Sequence, residues 1–172
     1  MSKEHKVILM RHAKSDWGAD YADDFDRPLS KRGRRDARRI GEWLGQQHLV
    51  HPLLLVSSAK RTRQTAKIVC QHLPTKETKL IIEDRLYACD REVILELIAE
   101  HARENISLLV IAHNPGLDQA LEYLSNDPLD YTSSGKLMTT AALAMLGIPG
   151  AASPPARASA SLQLLLRPKQ LA

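Results

Sequence analysis

The chain has 172 residues, 44% apolar and 26% charged, with two cysteines and a formal net charge of +4. These proportions exclude a fibrous, low-complexity or disordered chain and predict a single domain over residues 1–172 with one sizeable core. No apolar run is long enough for a signal peptide or a membrane span, and Cys70 and Cys89 lack metal-binding or redox spacing, so the expected location is cytoplasmic.

Residues 7–10 form a short continuous apolar run, the pattern of a buried parallel-type strand. Residues 15–28 are polar, Asp-rich and aperiodic, a long loop of the kind that is often functional. Ser30 is placed to cap a helix to about residue 47, with Ala37, Ile40, Trp43 and Leu44 at helical spacing. A second strand is predicted over 53–56 and a second helix over 61–73, with Ala66, Val69 and Leu73 on one side. A third strand follows over 79–82. Asp90 reads as the cap of a third helix, with Val93, Leu97 and Ile98 inward. A fourth strand covers 108–112, and a helix covers about 117–124 after the turn 113–116. Residues 127–136 are irregular. Two last strands, 140–146 and 161–166, are joined by a loop over 147–158. Strand and helix alternate without internal repeats. The predicted fold is α/β: a three-layer sandwich with a central, mostly parallel sheet of about six strands flanked by helices.

Three groups of reactive side chains stand just past predicted strand ends. They are Arg11 and His12 after the first strand, residues 57–61 after the second, and His113 and Asn114 after the fourth. Ligands bind at the carboxyl ends of strands in open α/β sheets. The fold would therefore gather two histidines and two arginines at one edge. Arginine forks match phosphate oxygens, and a neutral imidazole can attack phosphorus. Singly each residue is a weak signal; the shared edge strengthens them.

Arg11-His12-Ala13 is similar to the Arg-His-Gly signature of the histidine phosphatase (phosphoglycerate mutase-like) superfamily. The stretch from Ser57 to Ala66, with Arg61 ahead of Thr65-Ala66, resembles its second motif, and Ile111-Ala112-His113-Asn114-Pro115 its third. Closer still is the resemblance to the small SixA-like phosphohistidine phosphatases. It is carried by Arg11-His12-Ala13-Lys14-Ser15, Arg27-Pro28-Leu29-Ser30-Lys31-Arg32-Gly33, Leu86-Tyr87, Thr139-Thr140-Ala141-Ala142-Leu143 and Arg167-Pro168-Lys169. The resemblance implies a hydrolase that needs neither metal nor cofactor. His12 would be the nucleophile and form a phosphohistidine intermediate. Arg11, Arg61 and His113 would surround the phosphoryl oxygens, His113 as a cation. The substrate would be a phosphorylated molecule, expected to be a phosphohistidine-bearing protein, with inorganic phosphate as product and no role for nucleic acid or membrane. Two other readings stay open: a phosphatase of small phosphate esters, and a catalytically idle phosphate-binding module.

Several positions carry two readings at this level. The resemblance implies an acidic residue after the third strand as general acid, Glu83 or Asp84, each otherwise a solvated loop carboxylate; Asp24, in the loop before Arg27, is the other candidate. Arg27 contacts substrate or pairs with an Asp in residues 20–26. Ser58 offers a hydroxyl or N–H to phosphate, or caps the second helix. Met138 and Met145 are expected to be core filler. Six of the 24 basic residues fall in residues 31–39. That run is a solvated helix face or a docking surface for an acidic protein or nucleic acid, although no nucleic-acid motif accompanies it.

Overall fold

The computed structural model describes residues 4–150 and 154–171. Six strands form one sheet: β1 (Glu4–Arg11), β2 (Leu53–Ser57), β3 (Lys79–Glu83), β4 (Leu108–Ala112), β5 (Leu143–Pro149) and β6 (Ser161–Leu166), in the order β3-β2-β4-β1-β5-β6. The first four strands in that order run parallel, whereas β5 and β6 are antiparallel additions beyond β1. Four helices complete it: α1 (Lys31–Gly45), α2 (Lys60–Cys70), α3 (Arg91–His101) and α4 (Gly116–Leu124).

Alternation along the strands sorts the core into two layers. Ile8, Met10, Leu54, Val56, Leu109 and Ile111 pack with Ala37, Ile40, Leu44, Ala66 and Val69 of α1 and α2. Val7, Leu9, Leu55, Leu108 and Val110 face the other way, onto Ile94, Leu97 and Ile98 of α3 and Leu117 and Leu121 of α4. The reversal of chain direction explains the segregation. The connections β1–α1–β2 and β2–α2–β3 run toward the β3 edge, and β3–α3–β4 runs back, so right-handed crossovers must use opposite faces. The expected three-layer α/β sandwich is what the chain forms. Met138 and Met145 are buried in the core, as expected.

The capping expectations for α1 and α3 also hold. Ser30 accepts a hydrogen bond from the Gly33 amide, and Asp90 accepts one from the Val93 amide. Several boundaries differ. β1 starts earlier than expected because its first residues pair with the far end of β5, Glu4 opposite Pro149. β5 starts three residues late because residues 139–142 form a turn, with Ala141 at φ 62° and its amide bonded to the His12 carbonyl. α1 and α2 stop short at Gly45 and Cys70, where i→i−3 bonds from Gln46 and Gln71 tighten the chain out of the α-helix. Residues 151–153 of the loop expected over 147–158 lie outside the described residues, and its first three residues belong to β5.

Candidate active site

The carboxyl ends of β1, β2 and β4 lie side by side, and each hands over a polar side chain. His12 is the first residue beyond β1. Its amide bonds the Ala112 carbonyl of β4 at 3.1 Å and its carbonyl accepts from Ala141, so the backbone is clamped from both sides. The next amide, Ala13, donates to Thr65 Oγ1 of α2 at 3.1 Å. The ring is held as well: His12 Nδ1 lies 2.7 Å from the Ala13 carbonyl. A carbonyl only accepts, so Nδ1 carries the proton and Nε2 keeps a free lone pair.

His113 follows β4, and its ring centroid is 5.1 Å from that of His12. Arg61, in the first turn of α2, points its Nη2 at His113 Nδ1 at 3.4 Å. A guanidinium has no acceptor, so His113 Nδ1 accepts and Nε2–H donates to Ser57 Oγ at 2.7 Å. Both imidazoles are neutral. Burial is the main cause in each, aided by the arginine charges, and it holds His12 down to about 3 and His113 down to about 4.

Arg61 also donates to the Asp24 backbone carbonyl at 2.6 Å and to Asp24 Oδ2 at 2.9 Å. Arg27 takes the other carboxylate oxygen at 2.6 Å, bonds Ser15 Oγ at 2.5 Å and stacks 3.5 Å over the Trp17 ring. Partial burial pushes the Asp24 carboxyl up, but the hydrogen bonds and charges of Arg27 and Arg61 outweigh it and leave it below the usual range. Arg11 completes the ring, anchored by Nη1 on the Met138 carbonyl at 3.1 Å. The same carbonyl accepts from Asn114 Nδ2, and the Met138 amide donates to Asp118, so the segment after residue 136 is tied to the site. The Nε atoms of Arg11 and Arg61 are buried without a partner.

These groups line a cavity of about 260 Å³. Arg11, His12, Arg61, His113, Arg27 and Asp24 are all on its wall. Arg27 pairs with Asp24 and also faces the cavity. Two expectations need correction. Glu83 is not on the wall; its carboxylate is taken by Arg85, which bridges it to Glu100. Ser58 is neither on the wall nor the cap, since α2 starts after Ala59 with no side-chain cap and it is the neighbouring Ser57 that meets His113. His113 is a neutral imidazole in the ligand-free protein, because burial and Arg61 outweigh Asp24. Sequence reasoning assigned no role to Ser57, Trp17 or Tyr87. Tyr87 stacks edge-on against His113 at 5.7 Å and donates to Asp24 at 3.3 Å. An aromatic residue in the turn after an exposed edge strand was the signal available for it. Among the described residues, no group of three or more His, Cys, Asp or Glu could hold a metal ion, and no helix is long and apolar enough to cross a membrane.

The model of the histidine phosphatase superfamily (branch 1) matches residues 7–92, half of the chain. The chain belongs to the histidine phosphatase superfamily. The match takes in His12 and Arg61 but stops before His113, which the fold itself brings to the site. Among solved structures, this superfamily member resembles a Nakamurella multipartitia protein assigned as phosphohistidine phosphatase SixA. The TM-score is 0.77 at 28% identity, covering 96% of each chain. Among curated proteins it is 30% identical over 132 residues to an uncharacterized chloroplastic protein of Arabidopsis thaliana, covering 72% of this chain and 61% of that one. It is 32% identical over 101 residues to phosphoserine phosphatase 1 of Hydrogenobacter thermophilus, covering 58% of this chain and 46% of that one. The chain thus spans less than two thirds of the length of either of these two curated relatives.

Proposed function

We propose that this chain is a phosphatase that transfers a phosphoryl group to His12 Nε2 and then to water, and that its substrate is a phosphohistidine protein. The observation that carries the reading is the pair of buried, neutral imidazoles facing each other among guanidinium groups. His12 arrives in nucleophilic form, with its tautomer pinned by Ala13. Arg11, Arg61 and Arg27 supply fixed charge for the phosphoryl oxygens. A phosphoryl dianion placed against His113 would raise its pKa, so protonation of His113 belongs to substrate binding.

The proton count favours phosphohistidine over an ester. A phosphohistidine with its second ring nitrogen protonated transfers PO₃ to neutral His12 as one N–P bond breaks and another forms. The substrate leaves as neutral imidazole, and no enzyme acid is needed. Water then attacks phosphorus, the pair of the N–P bond returns to Nε2, and dihydrogen phosphate departs with both water protons. An ester would expel an alkoxide and need a proton donor, a demand that would fall on His113 once substrate binding has protonated it. The carboxylate on the cavity wall, Asp24, is ionised and shared by two arginines.

The likeness to a phosphoserine phosphatase keeps small phosphate esters as a second reading. Wild type and His12→Ala are assayed on p-nitrophenyl phosphate and on a synthetic phosphohistidine peptide. The expected result is turnover of the peptide by wild type and loss of about 10³-fold or more in the variant. A chain that turns over the ester alone has the second function. Equal rates for variant and wild type sink the role of His12, and no turnover of either leaves an idle phosphate-binding module.

A further inference from the structure

The basic run in α1 is unused by the chemistry at His12, yet it does not stand alone. A second cavity of about 510 Å³ opens beside the catalytic one and shares Arg11, Lys14 and Thr140 with it. A third depression of about 380 Å³ shares Arg32, Asp36 and Lys169 with the second and continues along α1 past Arg35 to Arg39. Together they form a track from the mouth of the His12 site along one face of α1.

The track is cationic, and much of its charge is uncommitted. Its buried acid, Asp36, is held between Arg32 at 3.4 Å and Arg35 at 3.6 Å. Arg167 is spent on the Leu137 carbonyl and on Asp130. Lys14, Lys136, Lys169 and Arg39 have no carboxylate partner among the described residues. These four come from the loop after β1, the segment before β5, the C-terminal turn and α1, so four separate stretches of chain converge on one stripe of positive charge.

Length decides what kind of anion fits. Arg32 and Arg39 are two turns apart, about 10 Å along the helix axis. That alone is about three residues of extended peptide, and the second cavity lies between it and His12. A compact anion cannot reach from His12 to Arg39, whereas a chain can. The walls also offer the hydroxyls of Thr132, Ser133, Ser134 and Thr139, which can accept from peptide N–H groups as well as donate to carbonyls. A chain of phosphates has no donors to offer them.

We infer that this track is a docking groove for an acidic stretch of the protein substrate flanking its phosphohistidine, with carboxylates set against Lys14, Lys136, Lys169 and Arg39. The inference rests on the phosphohistidine reading above and names the partner chemistry that goes with it. The rim lysines are exposed, so their contribution is to capture rather than to the chemical step.

The test compares two synthetic phosphohistidine peptides of equal length, one flanked on both sides by Glu and one by Gln. Each is assayed with wild type and with the triple variant Arg39→Ala, Lys136→Ala, Lys169→Ala. Wild type is expected to show kcat/KM about tenfold higher for the Glu peptide at low ionic strength, a preference that shrinks with salt. The triple variant is expected to lose that preference while its turnover of the Gln peptide and of p-nitrophenyl phosphate stays within about twofold of wild type. Equal use of both peptides by wild type, or a preference kept by the variant, overturns the groove and leaves the phosphohistidine reading intact. Turnover of p-nitrophenyl phosphate with neither peptide cleaved removes the phosphohistidine reading and the groove with it. If tripolyphosphate inhibits wild type but not the variant while both peptides are cleaved alike, the groove belongs to a polyphosphate chain and the acidic-peptide assignment fails.

Discussion

The chemistry of the site turns on which nitrogen holds which proton. His12 Nδ1–H is committed to a carbonyl and His113 Nδ1 accepts from a guanidinium, so each ring has one defined neutral tautomer. Free-enzyme pKa values of about 3 and about 4 mean that neither imidazole titrates near pH 6.5. The kcat/KM profile, corrected for substrate ionisation, is therefore expected to show no enzyme acid limb between pH 7.5 and 5. A limb with a pKa near 6.5 would contradict both assignments. Asp24 acts on the same pair at one remove. It fixes Arg61 and Arg27, and its charge is the influence that holds the His113 pKa up. Asp24→Asn should lower kcat/KM about tenfold or more by loosening both arginines. The same change should move the His113 pKa further down, which NMR titration of the ring would report and a merely structural role would not predict.

At the scale of elements, the site depends on how closely α1 approaches the loop after β1. Ser30 donates to the Lys14 carbonyl through both its amide and its hydroxyl. Gly33 sits against the same carbonyl: a Cβ there would stand 2.0 Å from the Lys14 oxygen, a backbone atom that cannot swing aside. Gly33→Ala should therefore cost about 1–3 kcal/mol in urea unfolding and weaken turnover as well, because the displaced loop begins at His12. A control at Gly18, whose added Cβ meets only Asp16 Oδ1 at 3.6 Å, should leave both unchanged. The strand ends were legible in the apolar runs, and Ser30 and Asp90 were legible as caps, because these are local patterns. The start of β5 was not legible. Residues 140–142 are as strand-like as those after them, but the bonds of Ala141 to His12 and of Ala142 to Arg11 draw them into the site rim.

For the whole molecule, buried neutral histidines couple folding to pH. Their folded pKa values are depressed below the ordinary value of 6.5. The unfolded chain thus binds more protons between about pH 3 and 6.5, and stability rises with pH across that window. The stabilisation is fully present above pH 6.5 and is lost as pH falls toward about 4 for His113 and about 3 for His12. Each histidine should account for on the order of 2 kcal/mol between pH 7 and 4.5. Urea unfolding of wild type and of His12→Phe at those two pH values checks this: the variant should lose less stability on acidification.

The sequence by itself determined the α/β alternation and pointed to Arg11, His12, Arg61 and His113 as residues that share one sheet edge. Each of those depends on a periodic pattern or a short motif, and the superfamily fold places such motifs at one sheet edge. Only the tertiary structure decided the charge states and the partners. Asp24 is drawn to Arg61 across 37 positions of sequence, and Ser57 to His113 across 56. No local pattern encodes a contact of that span. Glu83 and Asp24 were equivalent loop carboxylates in sequence. Which of them enters the cavity follows from where Arg85 and Arg61 stand, and burial of the two imidazoles exists only once both core layers have closed around the sheet.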